Sequence, residues 1–259
     1  MYQLNIVWPT IVKEWKANYM GTGRVYKYLG DAARSAALAW IVYQSGALNT
    51  LAFVAVGVAM ISIWTGVIAL GGWTLESELY GKTLDYTLIS PSPIAIILFS
   101  KTLFQALSEI PSGIVSFIVA LVVVREIPYV ANLPSLSFSL ILALVGMVVI
   151  GIFFSALVVL VGGRAGFFMG IVPFVAVLSG FVLPVSQLPA GLEIVARFMP
   201  SSWAMDGVWA SIGGIESWST LLLGWGIAIA VSAAWFCITY YLCVAVEKRI
   251  RITGTLSAY

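Results

Sequence analysis

The sequence has 259 residues, of which 61% are hydrophobic and only 9% charged, and its formal net charge is +2. A soluble domain carries about 25% charged residues, so this chain lacks the polar side chains that would cover a water-soluble fold of its length. The composition therefore predicts an all-α membrane protein, and the nearly balanced charge gives no support to nucleic-acid binding.

The N-terminal 28 residues predict an amphipathic helix. Trp8, Ile11, Trp15 and Tyr19 recur at helical spacing, and charged side chains occupy the other side. Because such a helix buries its apolar face at the membrane boundary, we interpret residues 1–28 as an interfacial helix and residues 29–259 as one transmembrane domain. A solvated N-terminal segment is the alternative, and it explains the charges but not the apolar stripe.

Six further segments are predicted to span the membrane, since a span needs about 20 mainly apolar residues. They cover residues 29–48, 51–73, 94–124, 136–161, 167–183 and 220–246. Asp31 and Arg34 interrupt the opening turns of the first span. The third carries Glu109 and Pro111 and is long enough that we expect a kink or a break there.

The distribution of Lys and Arg predicts the orientation. With a cytoplasmic N-terminus, eleven of these residues lie on the inner side and only two, Arg125 and Arg197, on the outer side. This is the positive-inside pattern, and two basic termini on one side require an even number of spans. We therefore expect a multi-pass protein of the cell membrane with six spans and both termini in the cytoplasm.

Residues 74–93, between spans two and three, predict a short cytoplasmic amphipathic helix that Pro91 and Pro93 terminate. The order E-x-E-x-x-G-K-T-L-x-x-x-L-I-S-P resembles the first cytoplasmic loop of ABC-2-type transporter permeases, with Lys82 and Asp85 as mild departures from that pattern. In that family the loop docks onto the ATPase. The resemblance thus implies a coupling loop that includes Glu76, Glu78, Gly81, Thr83, Leu84, Ser90 and Pro91.

Residues 178–206 carry a second resemblance, to the Leu-Ser-Gly, Pro, Leu-Pro and Pro-x-(Ser/Thr)-(Trp/Tyr) series of the same permeases. The prolines exclude one long helix, and the pieces between them are too short to span. The resemblance implies re-entrant helices in the outer leaflet between spans five and six, and an ordinary outer loop is the alternative. The positions that mark this segment are Gly180, Pro184, Leu188, Pro189, Pro200 and Trp203.

Glu109 is the ionisable residue that the third span places at membrane depth, where a carboxylate is costly. One hypothesis is a pathway residue that contacts substrate or gates a cavity. The other is a paired or protonated carboxylate that stabilises a kink at Pro111 or lies near an interface. The sequence favours neither hypothesis.

No G-x-x-x-x-G-K-[ST] motif occurs, so the chain has no P-loop for ATP, and we expect neither an enzyme nor a cofactor of its own. The resemblance implies a separate ABC ATPase subunit that binds ATP and Mg, and a second permease chain, identical or paralogous. The expected function is export of a hydrophobic or amphipathic substrate, such as a drug, an antibiotic, a peptide or a lipid.

Three alternatives to this function stay open at this point. One is a polysaccharide-exporting ABC permease, and another is a non-transporting scaffold or immunity protein. The third, an ATP-independent secondary transporter or channel, predicts paired intramembrane ionisable residues or inverted repeats. The sequence contains no recognisable repeat, and Glu109 is the one clear intramembrane carboxylate.

Overall fold

The computed structural model describes residue 12 and residues 22–44, 51–80, 93–125, 130–160 and 170–253. Within these ranges the chain is helical between short turns, without a β-strand. The helices are α1 (Thr22–Gln44), α2 (Leu51–Tyr80), α3 (Ile94–Val124), α4 (Leu133–Leu160), α5 (Val172–Leu178), a 3-10 turn (Val185–Gln187), α6 (Ala190–Arg197), α7 (Ser202–Gly213) and α8 (Trp218–Thr253).

Three of these helices are long and apolar enough to cross a membrane. They are α3, residues 133–158 of α4 and residues 218–248 of α8, and α2 adds the shorter apolar stretch Ala52–Ile68. The predicted all-helical fold, compatible with a membrane protein, is thus confirmed for the described part of the chain. The number of six spans remains a prediction.

The centre of the bundle is formed by α2, α3 and α4. The most extensive packing is between α2 and α3, and α1 packs mainly against α3. The α4 helix contacts α2, α3, α7 and α8, and its Met147 and Ile150 are buried in the main apolar core. As a result, α1 and α8 flank the centre on separate sides, and α7 packs across α4.

The distribution of polarity in α1 is inverted relative to a helix of a soluble protein. Asp31 and Ser35 are buried, whereas Tyr26, Leu29 and Ile41 are each more than 60% exposed. A helix on the surface of a soluble protein turns its apolar stripe inwards and its polar side outwards. The inverted arrangement suits a helix whose outer face contacts lipid.

Several helix boundaries differ from the prediction because helical hydrogen bonding continues beyond the predicted apolar run. The α4 helix begins at Leu133 rather than at residue 136, and α8 extends over Trp218–Thr253 rather than over residues 220–246. The boundary expected between residues 28 and 29 falls inside α1, which is continuous from Thr22 to Gln44, while most of the predicted interfacial helix lies outside the described residues. Similarly, α2 continues past residue 73 to Tyr80.

The expected break in the third span is not found, because α3 continues through Pro111. A proline removes one backbone hydrogen bond of a helix. The other turns of this 31-residue helix, which is packed against α1, α2 and α4, keep it intact.

The helix in predicted span five ends early, at Leu178 rather than at residue 183. Gly180 has a φ of 78°, its N–H donates to the Val177 carbonyl, and the Phe181 N–H donates to the Ala176 carbonyl. These two bonds form a Schellman motif, in which glycine takes the left-handed position after the helix. Residues 167–169 of that predicted span lie outside the described residues.

Candidate functional site

Four ionisable side chains meet where α1, α2 and α3 pack together. Lys27, Asp31 and Arg34 come from α1, and Glu109 comes from α3 at a position fifteen residues from either helix end. The exposed fraction of Glu109 is 0%, and Asp31 is 5% exposed. We call these four residues, with Ser62 of α2 and Ser112 of α3, the charge cluster.

The Lys27 ammonium is at the centre of the charge cluster. Its Nζ pairs with Oε2 of Glu109, lies 2.8 Å from Oδ2 of Asp31, and lies 3.4 Å from Oγ of Ser112. One cation therefore contacts three oxygen atoms from two helices, and two of these oxygens belong to carboxylates.

Asp31 connects Lys27 to Arg34 and to α2. Its carboxylate accepts hydrogen bonds from the Ser112 hydroxyl and, at 2.7 Å, from Nη2 of Arg34. The same Arg34 nitrogen donates to Oγ of Ser62 at 3.0 Å. The charge cluster thus contains two cations and two anions and is formally neutral, which offsets the large cost of burying each charge alone.

Small side chains bring α1 and α3 close together around these charges. On α1, Asp31, Ser35 and Ala39 are buried at a spacing of four residues, and the Ser35 hydroxyl donates to the Ser116 carbonyl. On α3, the same spacing relates the buried residues Ser108, Ser112, Ser116 and Ala120. Such four-residue repeats of small side chains are typical of closely packed membrane helices. We call this contact the α1–α3 seam.

Gly66 of α2 is required by the position of Glu109. A Cβ atom at residue 66 would lie 2.3 Å from Cδ of Glu109, far inside van der Waals contact. The pairing order also gives the helix directions. Lys27 and Ser35 contact residues 109–116 of α3 in ascending order, so α1 and α3 run parallel, while α2 runs antiparallel to both.

Of the two hypotheses for Glu109, the geometry favours the paired carboxylate, because Lys27 lies beside it. From the sequence, Asp31 and Arg34 were predicted to interrupt span one, and Lys27 was predicted to be one of the inner basic residues. The spacings of Lys27, Asp31 and Arg34 (i,i+4 and i,i+3) were a usable signal of neutralisation within one helix. The serine repeat at 108, 112 and 116 was a second signal. Because Lys27 and Arg34 are paired with carboxylates, they can be left out of the positive-inside count, which then becomes nine inner basic residues against two outer ones.

The predicted coupling loop is only partly within the described structure. Glu76 and Glu78 lie in the last turns of α2, so the first part of this loop continues the α2 helix. The other predicted docking residues lie outside the described residues, namely Gly81, Thr83, Leu84, Ser90 and Pro91. Their role in coupling stays a prediction.

Residues 179–217, here called the broken segment, form short helices separated by prolines. Pro184 precedes the 3-10 turn, Pro189 precedes α6, and Pro200 lies just before α7. Leu188 is extended and joins the 3-10 turn to Pro189. Interruption at these prolines agrees with the sequence analysis, while the depth of the segment in a membrane stays a prediction.

Indole N–H groups hold the broken segment and its surroundings in place by donating to backbone carbonyls. Trp209 donates to Gly180 at 3.0 Å, Trp64 of α2 donates to Val172 at 3.1 Å, and Trp203 donates to Arg197 at 3.0 Å. The carbonyls of a helix's last turn lack helical partners. Trp203 and Trp209 therefore satisfy carbonyls at or beyond a helix end, whereas the Trp64 bond joins α2 to the first residue of α5.

Two glycines allow the broken segment to approach the central helices closely. A Cβ atom on Gly57 of α2 would lie 2.4 Å from the Phe181 carbonyl oxygen, and one on Gly146 of α4 would lie 2.9 Å from the Ser201 nitrogen. Both atoms belong to the backbone, so side-chain rotation cannot relieve the clash. The close approach of the backbones at these two contacts therefore requires glycine at positions 57 and 146.

A smaller polar group lies on the surface of the broken segment. Arg197 pairs with Asp206 and contacts Glu193 at 3.5 Å, and its guanidinium lies 4.5 Å from the Trp203 ring centre. Burial raises the pKa of Asp206 above its ordinary value, and the Arg197 guanidinium offsets part of that rise. Trp203, predicted from its motif, is thus bound to Arg197 in two ways.

Two cavities among the described residues are lined by residues outside the charge cluster. The first, of about 350 Å³, lies at the corner between α7 and α8 and includes Trp203, Asp206 and Glu216. The second, of about 360 Å³, is a wholly apolar groove between α2, α3 and α4.

Neither protein-family models nor curated proteins give a match to this sequence. Membership of the ABC-2-type permeases therefore remains an inference from the motifs quoted above.

Proposed function

We propose that this chain is the permease subunit of an ABC-2-type exporter. It crosses the cell membrane six times with both termini in the cytoplasm and pairs with a second permease chain. Separate ABC ATPase subunits bind ATP and Mg and drive export of a hydrophobic or amphipathic substrate. The observation that carries this proposal is the order of the two motifs, with the acidic loop at 74–93 after span two and the proline series at 184–200 before the last span.

The proline series supports the proposal through its local structure. In such permeases this part of the chain forms short helices before the final span, and residues 179–217 are divided in that way ahead of α8. Gly57 and Gly146 let the short helices pack directly onto α2 and α4.

A path for coupling follows from the continuity of α2. Its 30 residues extend about 45 Å at 1.5 Å per residue, from the first part of the predicted coupling loop to the broken segment. The same helix contributes Ser62 to the charge cluster, and its Gly66 lies against Glu109. In the proposed mechanism, closure of the ATPases moves the cytoplasmic end of α2, and this helix carries the movement to both regions.

The decisive experiment isolates the coupling loop. Tagged protein is expressed with its candidate ATPase, and substrate-stimulated ATP hydrolysis and transport are measured in proteoliposomes. Glu78→Ala and Gly81→Pro are expected to lower co-purification of the ATPase or ATP hydrolysis without preventing membrane insertion. Glu216→Ala, on the exposed turn between α7 and α8, is the matched control and should leave both unchanged. Normal transport in both loop variants would contradict the docking assignment.

A second candidate function, an ATP-independent ion-coupled transporter, gains support from the charge cluster. Such transporters use paired ionisable residues inside the membrane. The structure brings four ionisable side chains together, whereas in the sequence Glu109 was the one clear intramembrane carboxylate. The test is the chain reconstituted without an ATPase. Uptake driven by a proton or sodium gradient, and lost in Glu109→Gln, would favour this function over the exporter.

The same Glu109→Gln variant tests the pathway hypothesis within the exporter. Unchanged ATP-driven transport and unchanged substrate-stimulated ATP hydrolysis would assign Glu109 a packing role alone. A loss of transport with the ATPase still bound would place Glu109 on the substrate path.

A further inference from the structure

An apolar groove of about 360 Å³ lies between α2, α3 and α4. The residues that line it are all apolar, and they include Ala59 of α2, Ile114 of α3 and Leu140 of α4. A cavity needs polar partners to hold water, and this groove offers none. A ligand that fills the groove must therefore be hydrocarbon.

The shape of the groove fits one alkyl chain. It is lined over residues 52–63 of α2 and residues 133–144 of α4, which corresponds to a length of about 16 Å at 1.5 Å per residue. An α-helix with its side chains is about 10–12 Å across, so a helix of that length would need several times the volume of the groove. The volume thus favours a single chain of methylene groups over a helix from another protein.

Small residues of α2 and α3 create this space. Gly113 of α3 has no side chain, and a Cβ atom there would lie 2.8 Å from Cδ1 of Ile63. The helices are therefore in contact at Gly113. Ala52 and Ala59 add only methyl groups to the lining, so the space beside this contact stays open.

The groove opens on the surface of the bundle, because Ile114 and Leu133 line it and are 52% and 65% exposed. In a membrane this surface contacts lipid tails, which are as apolar as leucine. If the groove stayed empty, its lining atoms would lack dispersion contacts on one side. Entry of an acyl chain restores those contacts.

Arg125 lies at one end of the groove. It follows Val124, which packs in a buried cluster with Ala55 of α2. Ala52 and Val56, within one turn of Ala55, line the groove. The exposed Arg125 side chain forms no ion pair with the residues that the structure describes. A guanidinium can bind a phosphate through two parallel hydrogen bonds.

We propose that the groove binds one acyl chain of an anionic phospholipid and that Arg125 binds the phosphate of the same lipid. With the orientation proposed above, this lipid belongs to the outer leaflet. Arg197, the other basic residue predicted on that side, is already paired with Asp206. The site goes beyond the exporter function and does not depend on it, because the lipid fills the space between α2, α3 and α4 whether or not an ATPase is bound.

The test uses the full chain at one molecule per phosphatidylcholine nanodisc, with increasing amounts of a phosphatidylglycerol that carries a diazirine in one acyl chain. After illumination, mass spectrometry quantifies the labelled residues. Labelling of Ile114 and Leu140 in the groove should saturate at a low mole fraction of the probe. Labelling of Leu222 and Ile238, on the exposed face of α8, should rise in proportion to the probe. A proportional rise at both places would mean contact with bulk lipid only and would overturn the proposal.

A variant that fills the groove separates binding from general lipid contact. Ala59→Phe places a ring in the groove and should abolish the saturable labelling, while labelling of α8 shows that the variant is inserted. Ala230→Phe, at an exposed position of α8, is the matched control and should leave the saturable labelling intact. If Ala59→Phe fails to fold, Val130→Phe makes the same test from the turn before α4. Saturable labelling that persists in a folded groove variant would contradict the proposal.

The role of Arg125 is measured by the ratio of groove labelling with the phosphatidylglycerol probe to that with the matching phosphatidylcholine probe. Arg125→Gln should lower this ratio by about fivefold, the effect of one arginine near anionic lipid. Lys248→Gln removes an exposed cation near the other end of α8 and should leave the ratio unchanged. An unchanged ratio in Arg125→Gln would refute the phosphate contact.

A second copy of the chain is the alternative occupant of this face. It is tested in nanodiscs that hold two molecules of the chain. Groove labelling equal to that in single-molecule discs supports the lipid site. Loss of groove labelling, with cross-links from the groove to the other copy, would assign the groove to an interface between copies and would overturn the lipid site.

Discussion

The α1–α3 seam and the broken segment bury polar groups in opposite ways. In the seam, charged side chains neutralise one another, and Lys27, Asp31 and Glu109 depend on each other's presence. In the broken segment, backbone carbonyls freed by helix ends accept hydrogen bonds from neutral indoles such as those of Trp209 and Trp203. The α1–α3 seam thus depends on charge pairing, and the broken segment depends on neutral hydrogen bonds and close packing.

Because of this difference, the two regions respond differently to the loss of one interaction. Removing one member of a network of paired, buried charges is strongly destabilising, because its partner loses part of its compensation. Indole-to-carbonyl bonds are spread over several tryptophans, so each loss is smaller. The seam is thus suited to a switch between two arrangements, and the broken segment is suited to a fixed support.

The largest effect is expected from breaking the central ion pair. Glu109→Ala leaves the partly buried Lys27 with Asp31 as its one carboxylate partner among the described residues, and should lower the free energy of unfolding by about 3–5 kcal/mol. Unfolding is followed by tryptophan fluorescence in mild detergent. The exchange of Lys27→Glu with Glu109→Lys keeps the charges paired and should recover part of the loss. If the single variant is as stable as the wild-type protein, the charge cluster does not hold α1.

A smaller effect is expected where shape excludes a side chain. Gly57→Ala drives a Cβ atom against the Phe181 carbonyl and should cost about 1–3 kcal/mol through overpacking. Gly30→Ala is the matched control, since no heavy atom lies within 4 Å of its Cβ position in α1. Alanine favours helix there by up to about 1 kcal/mol. Thermal unfolding compares the two, and equal shifts would argue against close packing at Gly57.

The indole bonds can be removed one at a time. Trp209→Phe keeps the ring that stacks on Phe53 but leaves the Gly180 carbonyl without its donor, which should cost about 1–3 kcal/mol. Trp40→Phe, at a half-exposed position of α1, should change the unfolding temperature little. A similar effect of both variants would mean that the Trp209 hydrogen bond contributes nothing specific.

The smallest effect concerns pH and Asp206. Because burial raises its pKa in the folded protein, the folded state holds this proton more tightly than the unfolded state. The resulting stability is complete below the ordinary pKa of 3.8 and is lost as pH rises through the raised value. Asp206→Asn should flatten this part of the curve of unfolding temperature against pH. A curve of unchanged slope would show that Asp206 does not titrate there.

Much of the helical pattern could be predicted from local sequence. The third predicted span agrees with α3 at both ends, because Pro93 precedes a long, mainly apolar stretch. The prolines at 184, 189 and 200 divide the broken segment where a helix cannot accommodate them. These signals act within a few residues, so they need no knowledge of the rest of the fold.

The early end of α5 depends on both a local sequence signal and a tertiary contact. Gly180 after an apolar stretch is a helix-stop signal in the sequence. Apolar residues continue beyond it, however, and the sequence analysis extended span five to residue 183. Phe181 is completely buried beside Gly57 and Trp64, which explains why it is apolar without belonging to a spanning helix.

By itself, the sequence determined an all-helical chain with helices apolar enough for a membrane and a final part interrupted by prolines. Only the tertiary structure decided which partners Asp31, Arg34 and Glu109 have. A hydropathy scale assigns each charged side chain the free-energy cost of being buried without a partner. The actual cost is lower when the charge is paired. Lys27 and Glu109 are 82 residues apart in the chain, so their pairing exists only once α1 and α3 have packed together.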